Sequence, residues 1–192
     1  MKKMQTITFI GSTLAFLMLS ASFANAQHTP KSQDVTLSQI EDKFVTEVEH
    51  SLVPLAEAMP EEKYSFAPTN GEFKGVRTFA TMIKHVAASN YGMASAILHE
   101  NPPVKLDSDA DLAGVRTKAG ILKFLQGSFD FLHKALSTIN EKNETELIQS
   151  PDSSKPLARL EVAERAIWHC WNHYGQLVEY LRMNGIVPPG SH

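Results

Sequence analysis

Four stretches of the chain repeat apolar residues every three or four positions, and long polar segments separate them. This spacing is typical of amphipathic helices, because a helical turn takes 3.6 residues. Four helices with wide apolar stripes bury those stripes economically by packing against one another as a bundle. We therefore predict an all-α fold, a four-helix bundle, with no strand pattern between the helices.

Residues that favour helix ends bound the predicted helices. Thr78 is a good N-cap for the second helix, and Ser154 and Pro156 are placed as N-cap and early helical proline of the fourth. Gly185 is placed to end the fourth helix. The connecting loops, of about 15 to 20 residues, are too long to force a simple up-down-up-down order. The predicted helices cover residues 37–59, 79–98, 121–139 and about 157–184.

The first 26 residues have the features of a Sec-type signal peptide. Two lysines precede an apolar run over residues 7–19, and residues 24–26 read Ala-Asn-Ala. An uncleaved membrane anchor is the alternative, but a run of about 13 residues is short of the ~20 that a spanning helix needs. We predict cleavage before Gln27, which leaves no stable membrane anchor.

The rest of the chain then divides into a short tether and one domain. Residues 27–35 are polar and predict a flexible tether, and residues 36–189 hold the predicted bundle. The expected product is an exported protein, periplasmic where the cell has an outer membrane and otherwise secreted.

Charge and cysteine content exclude several kinds of partner. The chain has 18 basic and 21 acidic residues, a formal charge of −3. The mature chain keeps 16 bases against 21 acids, which disfavours nucleic-acid binding. One cysteine excludes an internal disulfide and a cysteine-only metal cluster. The eight histidines are therefore the main candidates for metal binding or catalysis.

Three histidines are placed on inward helix faces. His169 and His173 are four residues apart on the fourth helix, so both rings point to one side and can bind one metal. The residues between them include no glutamate, which argues against a zinc protease of the HExxH type. His85 lies on the apolar face of the second helix. Taken alone, His85 is better explained as a core histidine hydrogen-bonded to Ser89 or Tyr91, but a shared metal would satisfy all three rings at once.

Other candidate residues are assigned packing or surface roles. Cys170 points about 100° away from His169 around the helix, so we interpret it as a packing residue. Trp168 and Trp171 are interpreted as helix-packing or dimer-contact residues. The other five histidines are weaker ligand candidates because of their places in tails, at a helix end or off the apolar stripes: His28, His50, His99, His133 and His192.

Several short motifs, in this order and spacing, resemble the DinB family (DinB/YfiT-like proteins). The similarity spans about residues 36 to 189 and is carried by residues 64–69, Tyr-Ser-Phe-Ala-Pro-Thr; 76–80, Val-Arg-Thr-Phe-Ala; 85–87, His-Val-Ala; 169–177, His-Cys-Trp-Asn-His-Tyr-Gly-Gln-Leu; and 180–182, Tyr-Leu-Arg. The resemblance implies a bundle with up-down-down-up connectivity. It also implies a divalent metal held by His85, His169 and His173.

Two classes of function follow from this resemblance. One is a metal-dependent hydrolase or thiol transferase that acts on a small molecule, since some relatives transfer thiols. The other is a non-catalytic metal-binding or interaction bundle outside the cytoplasm. Three histidines without a carboxylate suit Zn²⁺ or Ni²⁺, whereas no C-x-x-C-H motif supports haem. Catalytic residues and substrate are not predicted, a homodimer is an option, and Asn90 and Tyr91 are weighed as pocket residues, with packing favoured for the tyrosine.

Overall fold

The described part of the chain begins just before the first helix. A computed structural model describes residues 34–68, 75–106 and 115–190. The predicted signal peptide, most of the tether, and His28 and His192 lie outside the described residues. Within the described ranges, no helix is both long and apolar enough to cross a membrane.

Four α-helices account for most of the described residues, which confirms the predicted helical bundle. Their bounds are α1 Leu37–Ala58, α2 Phe79–Leu98, α3 Lys118–Leu136 and α4 Arg159–Met183. A short 3-10 turn, Glu61–Lys63, follows α1. Two short strands precede α4 and pair antiparallel: β1 Leu147–Ile148 and β2 Leu157–Ala158.

The predicted start of α2 is confirmed, but that of α4 is wrong. The Thr78 side chain accepts a hydrogen bond from the Thr81 backbone N–H and caps α2. Helix α4 instead begins after Ala158, which makes no side-chain cap bond. Residues 157 and 158 pair with β1 rather than start the helix. Ser154 and Pro156 therefore lie before the helix, and the prediction of no strands is wrong here too.

Contacts between helix ends show the relative directions of neighbouring helices. Lys118, at the start of α3, donates to the backbone oxygen of Met59 just after α1, so α1 and α3 are antiparallel. Arg159, at the start of α4, donates to the backbone oxygen of Ile97 near the end of α2, so α2 and α4 are antiparallel. Each of α1 and α2 packs between α3 and α4, so α1 and α2 are diagonal to one another.

A third contact fixes the connectivity. Lys134, near the end of α3, pairs at 2.7 Å with Glu100, which follows the end of α2. Helices α2 and α3 therefore run in the same direction, and the order is up-down-down-up, as the resemblance implied. This order brings α2 beside α4, the two helices that carry the candidate histidines.

The core lies where the four apolar stripes meet. Its largest fully buried side chains lie on α1, α2 and α3 or just after α1 and α3, and α4 adds smaller or less completely buried groups such as Val162, Ala166 and Tyr180. A few polar groups are buried among them: Asn90 of α2 donates to the Ser128 hydroxyl of α3 at 3.3 Å, and the Cys170 thiol of α4 donates to the Asn90 carbonyl oxygen at 3.2 Å. This chain of bonds ties three helices together in the core.

His133 of α3 lies between two carboxylates of α1. Its Nδ1 is 2.6 Å from Asp42 Oδ1, and its Nε2 is 3.1 Å from Glu49 Oε2. Burial disfavours the charged ring, but hydrogen bonds to Asp42 and Glu49 outweigh that effect and raise the pKa of His133 above its ordinary value. A protonated ring can donate to both carboxylates at once.

We expect His133→Gln to lower the melting temperature more at about pH 6 than at about pH 9. A raised folded pKa gives stability that is complete below the unfolded value of about 6.5 and is lost as pH rises through the folded pKa. Thermal melts of both proteins test this. An equal loss at both pH values would contradict an ionic role for His133.

Candidate metal centre

The three predicted histidines meet at the seam between α2 and α4. His169 Nε2 lies 3.1 Å from His85 Nε2 and 3.1 Å from His173 Nε2. One ligand atom from each ring can be chosen so that all three lie within 4.8 Å of one another. We call these three residues the histidine trio. The structure thus brings together all three predicted ligands, and they could hold a metal ion.

Helix geometry explains the arrangement of the trio. His169 and His173 are one turn apart on α4 and so present their rings on the same side, with centroids 4.4 Å apart. Because α2 runs antiparallel beside α4, His85 faces both rings, with a centroid 5.0 Å from each. His173 is only 7% exposed, whereas His85 and His169 are partly exposed. The trio is therefore anchored in the core and reaches the surface on one side.

Burial keeps two of these rings neutral. It lowers the pKa of both His169 and His173 to about 4. At His169, the charges of His173 and His85 also lower the pKa, and Asp152 partly opposes them. At His173, the charge of His85 lowers the pKa, and the hydrogen bond to Gln176 partly opposes it. The positive charge of Arg77 lowers the pKa of both rings. Near pH 7 both rings are in the neutral form, which is the form that binds metals.

The Nδ1 atoms of the two α4 histidines, His169 and His173, have different surroundings. His173 Nδ1 is 3.4 Å from the Gln176 side-chain oxygen, so an N–H at Nδ1 points toward an acceptor and leaves Nε2 free of its proton. His169 Nδ1 is buried and has no hydrogen-bond partner among the described residues. The polar contacts of His169 are therefore made through Nε2, on the side where the other two rings lie.

The spacing of the nitrogens fits a single metal ion. Two nitrogens that are each about 2.0–2.1 Å from one ion lie roughly 3 Å apart at tetrahedral or octahedral angles. Both measured Nε2 separations are 3.1 Å. Without an ion, three neutral imidazoles have one N–H each and can satisfy only some of these contacts, whereas an ion accepts a lone pair from every ring.

Charged groups at the edges of the trio were not predicted from the sequence. Arg165 lies one turn before His169 on α4 and pairs with Asp152 at 2.8 Å, which anchors the loop before α4. Arg77 is held at the start of α2, where its backbone oxygen accepts a hydrogen bond from the Tyr180 hydroxyl at 2.8 Å. The contact between Gln176 and His173 could have been predicted, because the two residues are three positions apart on α4. No sequence pattern indicates that Asp152 lies near the trio.

Asn90, Tyr91 and Cys170, the candidates for pocket or packing roles, lie in the core. Asn90 is fully buried and bonds to Ser128 and Cys170, and the Tyr91 ring packs 5.2 Å from Phe124. Burial raises the pKa of the Cys170 thiol to about 12. Cys170 is thus a packing residue in this structure, and the thiol is in its neutral form.

The remaining described histidines lie away from the trio. His50 is exposed on α1, and His133 is held by carboxylates as described above. His99 follows the end of α2 in the left-handed conformation, and its Nε2 is 2.9 Å from the Arg159 guanidinium. The trio is the one group of at least three metal-ligating side chains found among the described residues.

The fold is a four-helix bundle with up-down-down-up order. Three histidines cluster between its second and fourth helices, and they could hold a metal ion. The sequence pattern of the DinB superfamily matches residues 45–177. The chain therefore belongs to the DinB superfamily. No curated protein sequence matches it significantly.

Solved structures support the same fold. A DinB-like protein from Bacillus cereus is 17% identical, covers 82% of this chain and 99% of its own, and has a TM-score of 0.62. A conserved protein from Enterococcus faecalis is 16% identical, covers 77% and 96%, and has a TM-score of 0.63. A DinB-like protein from Bacillus subtilis is 18% identical, covers 74% and 92%, and has a TM-score of 0.55. At these identities the likeness shows the fold alone.

Proposed function

We propose that His85, His169 and His173 bind one divalent metal ion, and that the chain is a metal-dependent enzyme acting on a small molecule outside the cytoplasm. The proposal rests on the position of His169 Nε2, which lies 3.1 Å from His85 Nε2 and 3.1 Å from His173 Nε2. It is supported by the neutral state of His169 and His173, since no proton must leave these rings before the ion binds.

The donor set favours a borderline metal. Imidazole nitrogens suit Zn²⁺ and Ni²⁺, whereas Mg²⁺ and Ca²⁺ prefer carboxylate and carbonyl oxygens. The trio contains three imidazoles and no carboxylate. We therefore propose Zn²⁺ or Ni²⁺ as the ion.

Exposure of the trio favours catalysis over a purely structural role. Structural zinc sites are closed by four protein ligands, whereas catalytic sites keep a position for a substrate atom. Here three protein ligands are grouped, and two of them are partly exposed. A bound ion would supply Lewis acidity and lower the pKa of a thiol or hydroxyl that joins its coordination shell.

The chain's own residues limit the reaction class. Cys170 is fully buried, and its raised pKa keeps the thiol neutral, so a thiol transferase of this kind must take its thiol from a small molecule. The positive charge of Arg77, which acts on His169 and His173, favours a substrate with a negatively charged group. Hydrolysis of a small ester and transfer of a small thiol are the two reactions that we propose to test.

The test compares metal-loaded, metal-stripped and His173→Ala protein with panels of esters and small thiols. We expect turnover with one panel by the metal-loaded wild type, and none by the other two samples. His50→Ala is the matched control, because His50 is exposed and remote from the trio. Metal binding without turnover of either panel would favour the second function class, a non-catalytic metal-binding bundle.

Replacing any one member of the trio by alanine should remove most of the bound metal. Each ring supplies one of three ligands, and two imidazoles hold a divalent ion much more weakly than three. Elemental analysis of the purified variants measures this. His50→Ala and His133→Ala should keep the wild-type metal content, and a normal content in His173→Ala would refute the assignment.

Export is proposed from the amino-terminal residues, which lie outside the described part of the chain. We expect the mature protein to begin at Gln27, because an Ala-Asn-Ala site follows the apolar run. Intact-mass measurement of the protein recovered from the cell envelope or medium gives the answer. A mass that includes residues 1–26 would contradict the proposal.

A further inference from the structure

The loop between β1 and β2, residues 149–156, packs against α2 near the histidine trio. A Cβ atom added at Gly92 of α2 would lie 3.3 Å from Pro151 Cγ, so even a methyl group there would crowd the loop. Gly92 follows His85 by seven residues, which places it on nearly the same side of α2, about 10 Å further along. The loop therefore lies at one end of the seam that holds the trio.

Asp152 is held in this loop through both of its carboxylate oxygens. The Ser150 hydroxyl, which is buried, donates to Oδ1. Arg165 donates to Oδ2 from two nitrogens, Nε at 2.9 Å and Nη2 at 2.8 Å. Burial acts to raise the pKa of Asp152, but the hydrogen bonds from Ser150 and Arg165 outweigh it and lower the pKa. The carboxylate is therefore fixed in place and negatively charged near pH 7.

The same contacts hold the Asp152 carboxylate beside the trio. Arg165 precedes His169 by four residues, so the two side chains lie on the same side of α4, one turn apart. Asp152 pairs with this arginine and is only 32% exposed at its side chain. Burial is the main cause that lowers the pKa of His169, and the charge of Asp152 opposes it. The negative charge of Asp152 thus acts on the His169 ring.

His169 lacks the hydrogen-bond acceptor that His173 has. His173 Nδ1 lies 3.4 Å from the Gln176 side-chain oxygen, whereas His169 Nδ1 is buried without a hydrogen-bond partner among the described residues. A metal-binding imidazole usually donates its second N–H to an acceptor, which makes the ring a better ligand. When His169 binds an ion through Nε2, its proton is on Nδ1. A fixed negative charge nearby can compensate for the missing acceptor.

We propose that Asp152 is a positioning residue of the metal site, whose fixed negative charge strengthens the binding of a cation by the trio. It gives His169 by charge the support that Gln176 gives His173 by a hydrogen bond. This inference rests on the proposed metal binding. Arg165 holds the carboxylate in place, but its own positive charge opposes a cation. The two members of this ion pair should therefore have opposite effects on metal affinity.

Competition with a zinc-binding dye measures the zinc affinity of the purified variants. We expect Asp152→Asn to bind zinc about tenfold more weakly than the wild type, as is usual when a group that supports a metal ligand is lost. Arg165→Gln should bind zinc more tightly, since it removes the opposing charge and keeps the carboxylate. Both changes break the same ion pair. A purely structural role of this pair would therefore weaken zinc binding in both variants.

Glu146→Gln is the matched control for loss of an acidic partner of α4. Glu146 pairs with Arg159, so this variant also loses one negative charge and one ion pair to an α4 arginine. Arg159 is ten residues before His169, or about 15 Å along the helix, so the zinc affinity should keep its wild-type value. A tenfold loss in Glu146→Gln as well would show that loosening of α4 is the cause, and would overturn the proposal.

The outcomes separate this inference from the proposed function. If the wild type binds one zinc ion per chain and Asp152→Asn binds it equally well, the role of Asp152 is refuted and the metal site stands. The same conclusion follows if Asp152→Asn and Arg165→Gln weaken zinc binding alike. If His173→Ala binds zinc as tightly as the wild type, the proposed metal site is wrong, and this inference fails with it.

Discussion

Adding a chelator to the metal-loaded protein at about pH 7.5 should lower its melting temperature by roughly 5–10 °C. A ligand present at 100 times its dissociation constant stabilises the folded state by about 2.7 kcal/mol, and 1 kcal/mol corresponds to about 2–4 °C for a domain of this size. Thermal melts with and without chelator measure the shift. His85→Ala should show almost no shift, because its weakened site would already be empty.

The same metal-dependent shift should persist in mild acid and disappear only near pH 4. Protons compete with the ion for imidazole nitrogens, and in the folded protein the pKa values of His169 and His173 are about 4. Metal retention, measured by equilibrium dialysis over a pH series, should therefore fall with a midpoint well below the ordinary histidine value of about 6.5. A midpoint at the ordinary value would mean that these rings are not buried as the structure has them.

The metal-free protein should respond to pH with the same sign. Because His169 and His173 have folded pKa values below their unfolded value, the unfolded chain binds more protons between about pH 4 and pH 6.5. The free energy of unfolding therefore rises with pH across this window. This is opposite to the contribution of His133, whose folded pKa is raised. Measuring the free energy of unfolding of His133→Gln and of His169→Ala as a function of pH separates the two contributions.

Gly127→Ala should destabilise the protein by about 1–3 kcal/mol, although alanine favours helices over glycine. A Cβ atom at position 127 of α3 would lie 2.6 Å from the Tyr91 hydroxyl oxygen. The Tyr91 ring cannot easily move, since it is buried and packs 5.2 Å from Phe124 and 5.8 Å from Phe131. Chemical denaturation of the variant and wild type measures the loss.

A second substitution identifies the cause of that loss. Tyr91→Phe removes the hydroxyl oxygen, and the next-nearest atom, Tyr91 Cζ, is an ordinary 3.9 Å from the added Cβ. The double variant Gly127→Ala with Tyr91→Phe should therefore recover most of the stability, which appears as a favourable coupling energy in a double-mutant cycle. Purely additive losses would show that the overlap with the hydroxyl is not the cause.

The helices could be predicted because each has a long apolar stripe. Leu37 to Leu55 alone repeats the helical spacing over several turns, and Thr78 marks a helix start that the structure confirms. The beginning of α4 could not be predicted in the same way. Ser154 and Pro156 favour a helix start locally, but pairing of Leu157 and Ala158 with β1 delays it. Two-residue strands are too short to show an alternating pattern.

The site could be predicted only in part from spacing. The four-residue interval between His169 and His173 places both rings on one side of α4 whatever the rest of the fold is. His85 reaches these two rings only because α2 lies beside α4. That arrangement depends on the connectivity of the bundle, which the long loops left open. The family resemblance indicated the connectivity. Arg77 and Asp152 act on the trio from loop and helix-end positions that have no periodicity.

X-ray absorption spectroscopy of the zinc-loaded protein tests the central claim, that the histidine trio is one metal site. The account predicts one ion per chain with three imidazole nitrogens at about 2.0–2.1 Å, and a site with fewer imidazoles in His85→Ala. An ion bound mainly through oxygen ligands would contradict it. So would a zinc spectrum that His85→Ala, His169→Ala and His173→Ala all leave unchanged.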